Sequence, residues 1–132
     1  MKGLHQSDNS YVSEPERAEE ALVREILHNT GNLLLLKDAG SRYLCVNRQF
    51  EKTFHVRPEE VKGKTDDEIF PPEQGAAFRA NDLLVLQAAV PMEFEEATLQ
   101  DDGTHTSIVQ KFPLITTSGK VYATGSIVTD IS

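Results

Sequence analysis

The chain lacks several features that identify common protein classes. Cys45 is its single cysteine, so no intrachain disulfide can form, and the sequence suits a reducing cytosol. The longest apolar run, Leu33 to Leu36, is far shorter than the roughly 20 residues of a membrane-spanning helix. The first residues also lack the apolar segment of a secretory signal peptide. These absences predict a cytoplasmic domain, and they are equally compatible with one domain of a longer, membrane-anchored protein.

Clustered positive charge and catalytic motifs are missing as well. The chain has 13 Lys and Arg against 21 Asp and Glu, which gives a formal net charge of −8. No basic patch is present to displace counterions from a phosphate backbone, so the sequence argues against nucleic-acid binding. No G-x-S-x-G, H-E-x-x-H or glycine-rich phosphate loop occurs, and we therefore expect no catalysis by this chain.

The pattern of polar and apolar residues divides the 132 residues into three parts. Residues 1–12 are polar and without period, which predicts a disordered leader. Residues 13–30 predict a flanking helix, because Ala18, Leu22 and Ile26 recur at four-residue spacing on one stripe. Residues 31–132 have the size and composition of a single domain with one modest core.

The order of elements in this domain predicts an α+β architecture. A buried strand over residues 32–37 and a returning strand over 42–46 come first. Short, interrupted helices follow, and the longest helix of the domain is expected over 72–89. Two turns, at 101–103 and 116–119, then connect three strands as consecutive hairpins. Hairpin-linked strands form an antiparallel sheet, and the helical middle is expected to cover one of its faces.

Several motifs, in this order and spacing, resemble those of the PAS family. The turn Asp38-Ala39-Gly40 and the strand that ends at Asn47 resemble a D-x-x-G motif followed by a strand ending in Asn. The stretch from Phe54 to Lys64 resembles the family's E-E-hydrophobic-x-G-K region. Residues 102–104, 112–114 and 118–121 resemble its closing strands, and 126–132 resemble its exit motif, G-hydrophobic-x-x-D-I-T. His55 and Ser126 stand where the family commonly has glycine.

The resemblance implies a PAS fold, in which short helices cover one face of a five-stranded antiparallel sheet and enclose a pocket. It also implies a sensory or signalling role, in bacteria commonly upstream of a histidine kinase or a cyclic-dinucleotide enzyme. By similarity, Asp130 is the exit position that leads to a signalling helix, so an effector domain is expected after it in the full protein. The helix carrying Ala18, Leu22 and Ile26 is expected to form a homodimer or to pack on the outer sheet face beside Ile108 and Phe112.

The sequence argues against the family's two common cofactors. Nothing matches the Asn-Cys-Arg-Phe-Leu-Gln motif of the flavin-binding branch, and the expected long helix has no histidine to ligate haem. The four histidines are spaced too widely to indicate a metal site. We interpret Cys45 as a small buried hydrophobic residue. We interpret the acids Asp66, Asp67 and Glu68 as favourable charges at the start of a short helix.

A small-molecule pocket remains the strongest candidate site. Strand alternation and the resemblance together assign its lining: Phe50, Phe54, Ile69, Phe78, Leu83, Leu86, Phe94, Glu96, Thr98, Val109, Tyr122, Ser126 and Val128. The alternative is an ordinary packed core. Glu96 is informative, because a buried carboxylate must find a partner, reach solvent or mark a polar pocket. The sequence thus leaves two hypotheses open, a ligand-sensing domain and a ligand-free dimerisation or protein-interaction module.

Overall fold

A computed structural model of the protein describes residues 14–132, with side chains from Arg17 onward. The predicted leader, residues 1–12, lies outside the described residues. The elements in chain order are α1 (Glu14–Asn29), β1 (Leu33–Asp38), β2 (Tyr43–Val46), α2 (Arg48–Phe54), α3 (Pro58–Val61), a 3-10 turn (Asp66–Glu68), α4 (Pro72–Ala88), β3 (Met92–Gln100), β4 (Gly103–Ile115) and β5 (Val121–Asp130). This order agrees with the prediction from the sequence.

The strands form one sheet, in which every neighbouring pair is antiparallel and the order is β2-β1-β5-β4-β3. The last strand, β5, therefore lies in the centre, between β1 and β4. Gly103 and Gly119 adopt positive φ angles of 119° and 91° in the two hairpin turns, where other residues would be strained. The helices cover one face, so the predicted α+β fold with a five-stranded sheet and a flanking helix is confirmed.

Asn47 joins three elements where β2 ends. Its side-chain oxygen accepts hydrogen bonds from the amides of Phe50 and Leu34, at 3.2 and 3.0 Å. Its side-chain nitrogen donates to the carbonyls of Leu27 and Asn32, at 2.8 and 3.0 Å. The residue therefore begins α2, as its sequence position predicts, and also holds the end of α1 against β1.

His55 ends α2 in the left-handed conformation, with φ 54° and ψ 47°. This region is strained for residues with a Cβ atom, although histidine tolerates it better than most. The family's usual glycine would enter it without strain. His55 therefore takes a conformation that the family's usual glycine could also adopt, but at a higher energetic cost.

Candidate functional site

A small cavity lies between the inner face of the sheet and the covering helices. It is lined by Leu33, Leu35, Lys37, Tyr43, Phe50, Phe54, Phe70, Phe78, Glu96, Thr98, Ser107, Val109, Lys111, Ser126 and Val128. Its free volume is about 30 Å³, which is room for a group the size of a water molecule. A larger molecule must therefore displace side chains of the wall.

Four phenylalanine rings form the helical side of this cavity. The ring centroids of Phe50 and Phe54 are 4.9 Å apart, and those of Phe54 and Phe70 are 5.0 Å apart. Phe70 meets Phe78 edge to face at 5.3 Å. Such tilted and edge-to-face pairs are the favoured arrangements of aromatic rings. Phe54 alone among the four is only partly buried, so it is the ring with room to move.

The sheet side of the cavity carries the charged side chains of Lys37, Glu96 and Lys111 among apolar ones. Asp82 on α4 accepts hydrogen bonds from two buried lysines, at 2.9 Å from Lys37 on β1 and 2.9 Å from Lys111 on β4. Because β5 separates β1 from β4, this one carboxylate links α4 to both neighbours of the central strand. Ser41 also donates to Asp82 at 3.2 Å, and Arg79 donates to the Ser41 hydroxyl.

Two more carboxylates complete this buried network. Asp66, in the 3-10 turn, pairs with Lys37 at 2.6 Å and accepts a hydrogen bond from the Tyr43 hydroxyl at 2.6 Å. Glu96 on β3 lies 3.3 Å from the Lys111 ammonium and accepts a hydrogen bond from the Asn81 amide at 2.9 Å. Taking charges out of water costs several kcal/mol per ion, so each of these groups depends on its partners.

The network shifts the pKa values of its members. Burial raises the pKa of Asp82, but the charges of Lys111 and Lys37 outweigh this effect and hold the pKa below its ordinary value. Burial likewise lowers the pKa of Lys111, and Asp82 and Glu96 outweigh it, so the pKa is raised. Burial, followed by the negative charge of Asp66, holds the pKa of the Tyr43 hydroxyl well above its usual range. These directions favour the ionised forms of Lys111 and Asp82 and the neutral form of Tyr43.

Ser126 on β5 adds an unusual group to the cavity wall. The residue is 3% exposed, and its hydroxyl has no hydrogen-bond partner within the described part of the chain. It is paired directly with Lys111 across β4 and β5, so both side chains project from the same face of the sheet into the cavity. A buried hydroxyl without a partner is costly, which makes it a ready attachment point for a ligand.

The structure divides the predicted pocket residues into two groups. Those that line the cavity are Phe50, Phe54, Phe78, Glu96, Thr98, Val109, Ser126 and Val128. Those that lie elsewhere are Ile69, Leu83, Leu86, Phe94 and Tyr122. Of the second group, Leu83 and Tyr122 are 37% and 48% exposed, whereas Ile69, Leu86 and Phe94 are partly buried outside the cavity wall.

The wrong prediction for Leu83 and Leu86 has a simple cause. The buried face of α4 consists of Gly75, Phe78, Asp82 and Val85, at helical spacing. The prediction instead followed the most apolar residues and so assigned Leu83 and Leu86 to the inner face. Because Asp82 is ion-paired, it occupies the inner face in place of a leucine.

Sequence analysis identified Glu96 but missed the other charged members of the site. Asp66 does lie in the first turn of a short helix, as interpreted. It is also buried and bound to Lys37 and Tyr43, a role that the interpretation did not include. A signal was present: Lys37 directly follows the run of leucines in β1, and Asp82 lies four residues after Phe78 and three before Val85. Both charges thus occupy positions whose periodicity indicates burial.

Cys45 is exposed on β2, so its interpretation as a buried residue is wrong. It borders an apolar hollow on the outer sheet face together with Leu27, Leu34, Leu36, Phe112 and Ile127. The predicted stripe on α1 does not close this hollow, because Leu22 and Ile26 are 59% and 56% exposed and Ala18 is exposed as well. The stripe is therefore available to a partner.

Asp130, the predicted exit position, is held by a histidine. His105 contacts Asp130 through Nδ1 at 2.5 Å and Asp102 through Nε2 at 2.5 Å. Asp130 also accepts a hydrogen bond from the Ser132 amide at 2.8 Å. A polar hollow bordered by Asp130 shares Leu33, Ser107 and Val128 with the cavity wall. The hollow beside Asp130 and the cavity therefore lie on either side of the same three residues.

Within the described residues, no group of His, Cys, Asp and Glu is arranged to hold a metal ion. Helix α4, which faces the cavity, carries no histidine. No helix of the described part of the chain has both the length and the apolar character needed to cross a membrane.

Comparison with known proteins identifies relatives of this chain. A family model described as "PAS fold" matches residues 27–132. The methanogenesis regulatory histidine kinase FilI of Methanothrix harundinacea is 27% identical over 113 residues. That match covers 86% of this chain but only 13% of the kinase, so the chain corresponds to a small part of such a protein.

Solved structures share the fold at lower sequence identity. The VqmA dimer of Vibrio cholerae, described as a DNA-binding receptor of the LuxR type, matches with a TM-score of 0.73 and 21% identity over 88% of this chain and 51% of that one. The PAS domain of the Cronobacter turicensis quorum-sensing receptor RpfR, in complex with BDSF, matches with a TM-score of 0.65 and 16% identity over 80% of this chain and 99% of that one.

Proposed function

Because this chain belongs to the PAS family, we propose that it is a sensory input domain that binds a small molecule in its cavity. It relays the presence of that molecule through Asp130 to an effector domain in a longer protein. The domain itself catalyses no reaction. A histidine kinase is the favoured effector, since the matching region of FilI belongs to such an enzyme. A cyclic-dinucleotide enzyme is the other class that the family resemblance suggests.

The observation that carries this proposal is the polar wall of the cavity. A core built only for stability would be filled with apolar side chains, because replacing a buried ion pair with well-packed hydrophobic residues is often neutral or stabilising. Here Lys37, Lys111, Glu96 and Ser126 face four phenylalanines across a small space, and among the described residues the Ser126 hydroxyl has no hydrogen-bond partner. An apolar site with a few placed polar groups is how proteins recognise small molecules.

The cavity also borders the exit position. Leu33, Ser107 and Val128 separate it from the hollow that contains Asp130. A ligand that moves any of these side chains changes the surroundings of Asp130, and it can then shift the population between two arrangements of the exit strand.

A ligand-free dimerisation module is the second candidate. The small free volume of about 30 Å³ and the exposed stripe on α1 favour it. In this case the charged network would only fix the packing of α4 on the sheet. The net charge of −8 argues against a role in nucleic-acid binding for either candidate, although VqmA is described as binding DNA.

Native mass spectrometry distinguishes the two candidates. The purified chain, incubated with the small-molecule fraction of its source cells, should retain a molecule that is released on denaturation. Ser126→Val fills and blocks the cavity and should lose this molecule. The matched change Thr129→Val, at an exposed position of the same strand, should keep it. If the unchanged chain retains nothing, ligand sensing is wrong and the dimerisation module stands.

A further inference from the structure

We propose that the cavity selects a small uncharged molecule with a carbonyl or hydroxyl group and an apolar body, and that it rejects organic anions and cations. This inference rests on the sensing role proposed above. The charged groups of the cavity and the hydroxyl of Ser126 carry it.

The charged side chains around the cavity already satisfy one another. Lys37 lies between Asp66 and Asp82, and Lys111 lies between Asp82 and Glu96. Arg79 reaches the same network through the Ser41 hydroxyl. These are three cationic and three anionic groups, so the network has no surplus charge. An ion entering the cavity would lose its hydration and gain no unpaired counter-charge in return.

Ser126 is the group that remains available. Its hydroxyl is buried, faces the cavity and has no partner among the described residues. A hydroxyl both donates and accepts, so it can pair with a neutral carbonyl or hydroxyl without any change of charge. The ligand's polar group is therefore expected beside Ser126, next to Lys111, which pairs with it across the two strands.

The four phenylalanine rings that face Ser126 determine the apolar character of the rest of the ligand. Phe50, Phe70 and Phe78 are buried, and Phe54 is partly buried. The free volume of about 30 Å³ is room for the polar group alone. A flat apolar body therefore requires Phe54, the partly buried ring, to rotate outward. The ligand's apolar body would then take the place of the Phe54 ring, so the apolar surface of the cavity would stay covered.

Three probes of nearly equal size test this inference: benzamide, benzoate and benzylamine, which are neutral, anionic and cationic at pH 7. Binding to the full chain is measured by NMR titration of its amide signals. We expect benzamide to bind, and the two ions to bind at least about a hundredfold more weakly, because a desolvated ion without a partner costs several kcal/mol.

Two variants locate the interaction. Ser126→Ala should weaken benzamide binding about fivefold, the effect of one neutral hydrogen bond. Glu96→Gln removes one carboxylate from Lys111 and leaves the network with surplus positive charge, so benzoate should gain affinity. Glu95→Gln, an exposed change on the neighbouring residue of β3, should change nothing.

The outcomes separate the ligand class from the sensing role. If benzoate or benzylamine binds as well as benzamide, or if none of the three binds, the inference about the ligand class is wrong. The sensing role is then still decided by native mass spectrometry of the retained molecule. If benzamide binds equally well to the chain and to Ser126→Ala, the polar group does not lie at Ser126 and the inference is overturned.

Discussion

At the scale of single residues, Asp82 is the carboxylate on which the buried network converges. It accepts hydrogen bonds from Lys37 and Lys111 and from the Ser41 hydroxyl, and all of these lie in the interior. The two lysines come from strands on either side of β5. Without Asp82, Lys37 keeps Asp66 and Lys111 keeps Glu96, but the sheet loses its ionic link to α4.

We predict that Asp82→Asn destabilises the domain by about 3 kcal/mol or more, because it leaves buried ammonium groups without their shared counter-charge. Urea unfolding followed by circular dichroism measures this loss. Asp67→Asn, the same change at an exposed position, serves as the control and should stay within about 0.5 kcal/mol of the parent. Equal stability of the two variants would contradict the role given to Asp82.

His55 makes a second prediction at this scale, since its φ of 54° is unfavourable for any residue with a Cβ atom. Both His55→Gly and His55→Ala remove the contact with Asp101. The difference between their free energies of unfolding therefore reports the backbone conformation alone. The glycine variant should be more stable than the alanine variant by about 1 kcal/mol.

The same pair of changes at Lys52, an exposed residue inside α2, should give the opposite order. There, glycine is the less stable residue by about 0.5–1 kcal/mol. Thermal unfolding of the four variants measures the stability difference between glycine and alanine at each position. Equal stability of the two variants at position 55 would show that the turn is not strained.

At the scale of elements, the end of β5 is held to the β3–β4 turn by His105. The hydrogen bonds that His105 donates to Asp102 and Asp130 raise the pKa of His105 and lower the pKa of Asp102. The pKa of Asp130 is lowered by the Ser132 amide and then by His105. A raised histidine pKa stabilises this contact fully below its ordinary value of about 6.5, and the effect is lost as the pH rises through the raised pKa. The lowered carboxyl pKa values act at the other limit, since their contribution is lost as the pH falls below about 4.

We therefore predict that the end of β5 is most protected between about pH 4 and pH 6.5 and loosens at higher pH. Hydrogen exchange of the Ile131 amide, which donates to the Thr106 carbonyl at 2.9 Å, reports this directly after correction for the intrinsic rate. His105→Gln should remove the change above pH 6.5. Protection that is independent of pH in the parent chain would contradict the predicted role of the histidine.

At the scale of the whole molecule, α1 offers a surface for association. Leu22, Val23 and Ile26 are each more than half exposed, and the adjoining outer sheet face carries the apolar hollow around Phe112. A homodimer through α1 remains a prediction, and these exposed apolar residues are where it would form.

We predict that Leu22→Gln combined with Ile26→Gln weakens self-association by at least about tenfold, while stability changes by less than about 0.5 kcal/mol for each exposed site. Sedimentation velocity over a range of concentrations measures this. Glu20→Gln combined with Arg24→Gln, on another face of the same helix, is the matched control. A monomeric parent chain, or equal association of both variants, would rule out a dimer through this stripe.

Much of the architecture follows from the sequence because local signals determine it. The turns at Gly103 and Gly119 and the cap at Asn47 depend on neighbouring residues, and the structure has all three. The burial of Lys37, Asp66, Asp82 and Lys111 depends instead on partners up to 45 positions away. Local polarity does not reveal such distant partners, so the buried network around Asp82 was missed.

The central place of β5 has a consequence for synthesis on the ribosome. Its neighbours β1 and β4 are translated before it, and the two are connected in the sheet only through β5. Until residues 121–130 have left the exit tunnel, the nascent chain holds two separate hairpins with unsatisfied edges. The domain can then assemble only late, and whatever sequence is translated next emerges beside a domain that has just closed.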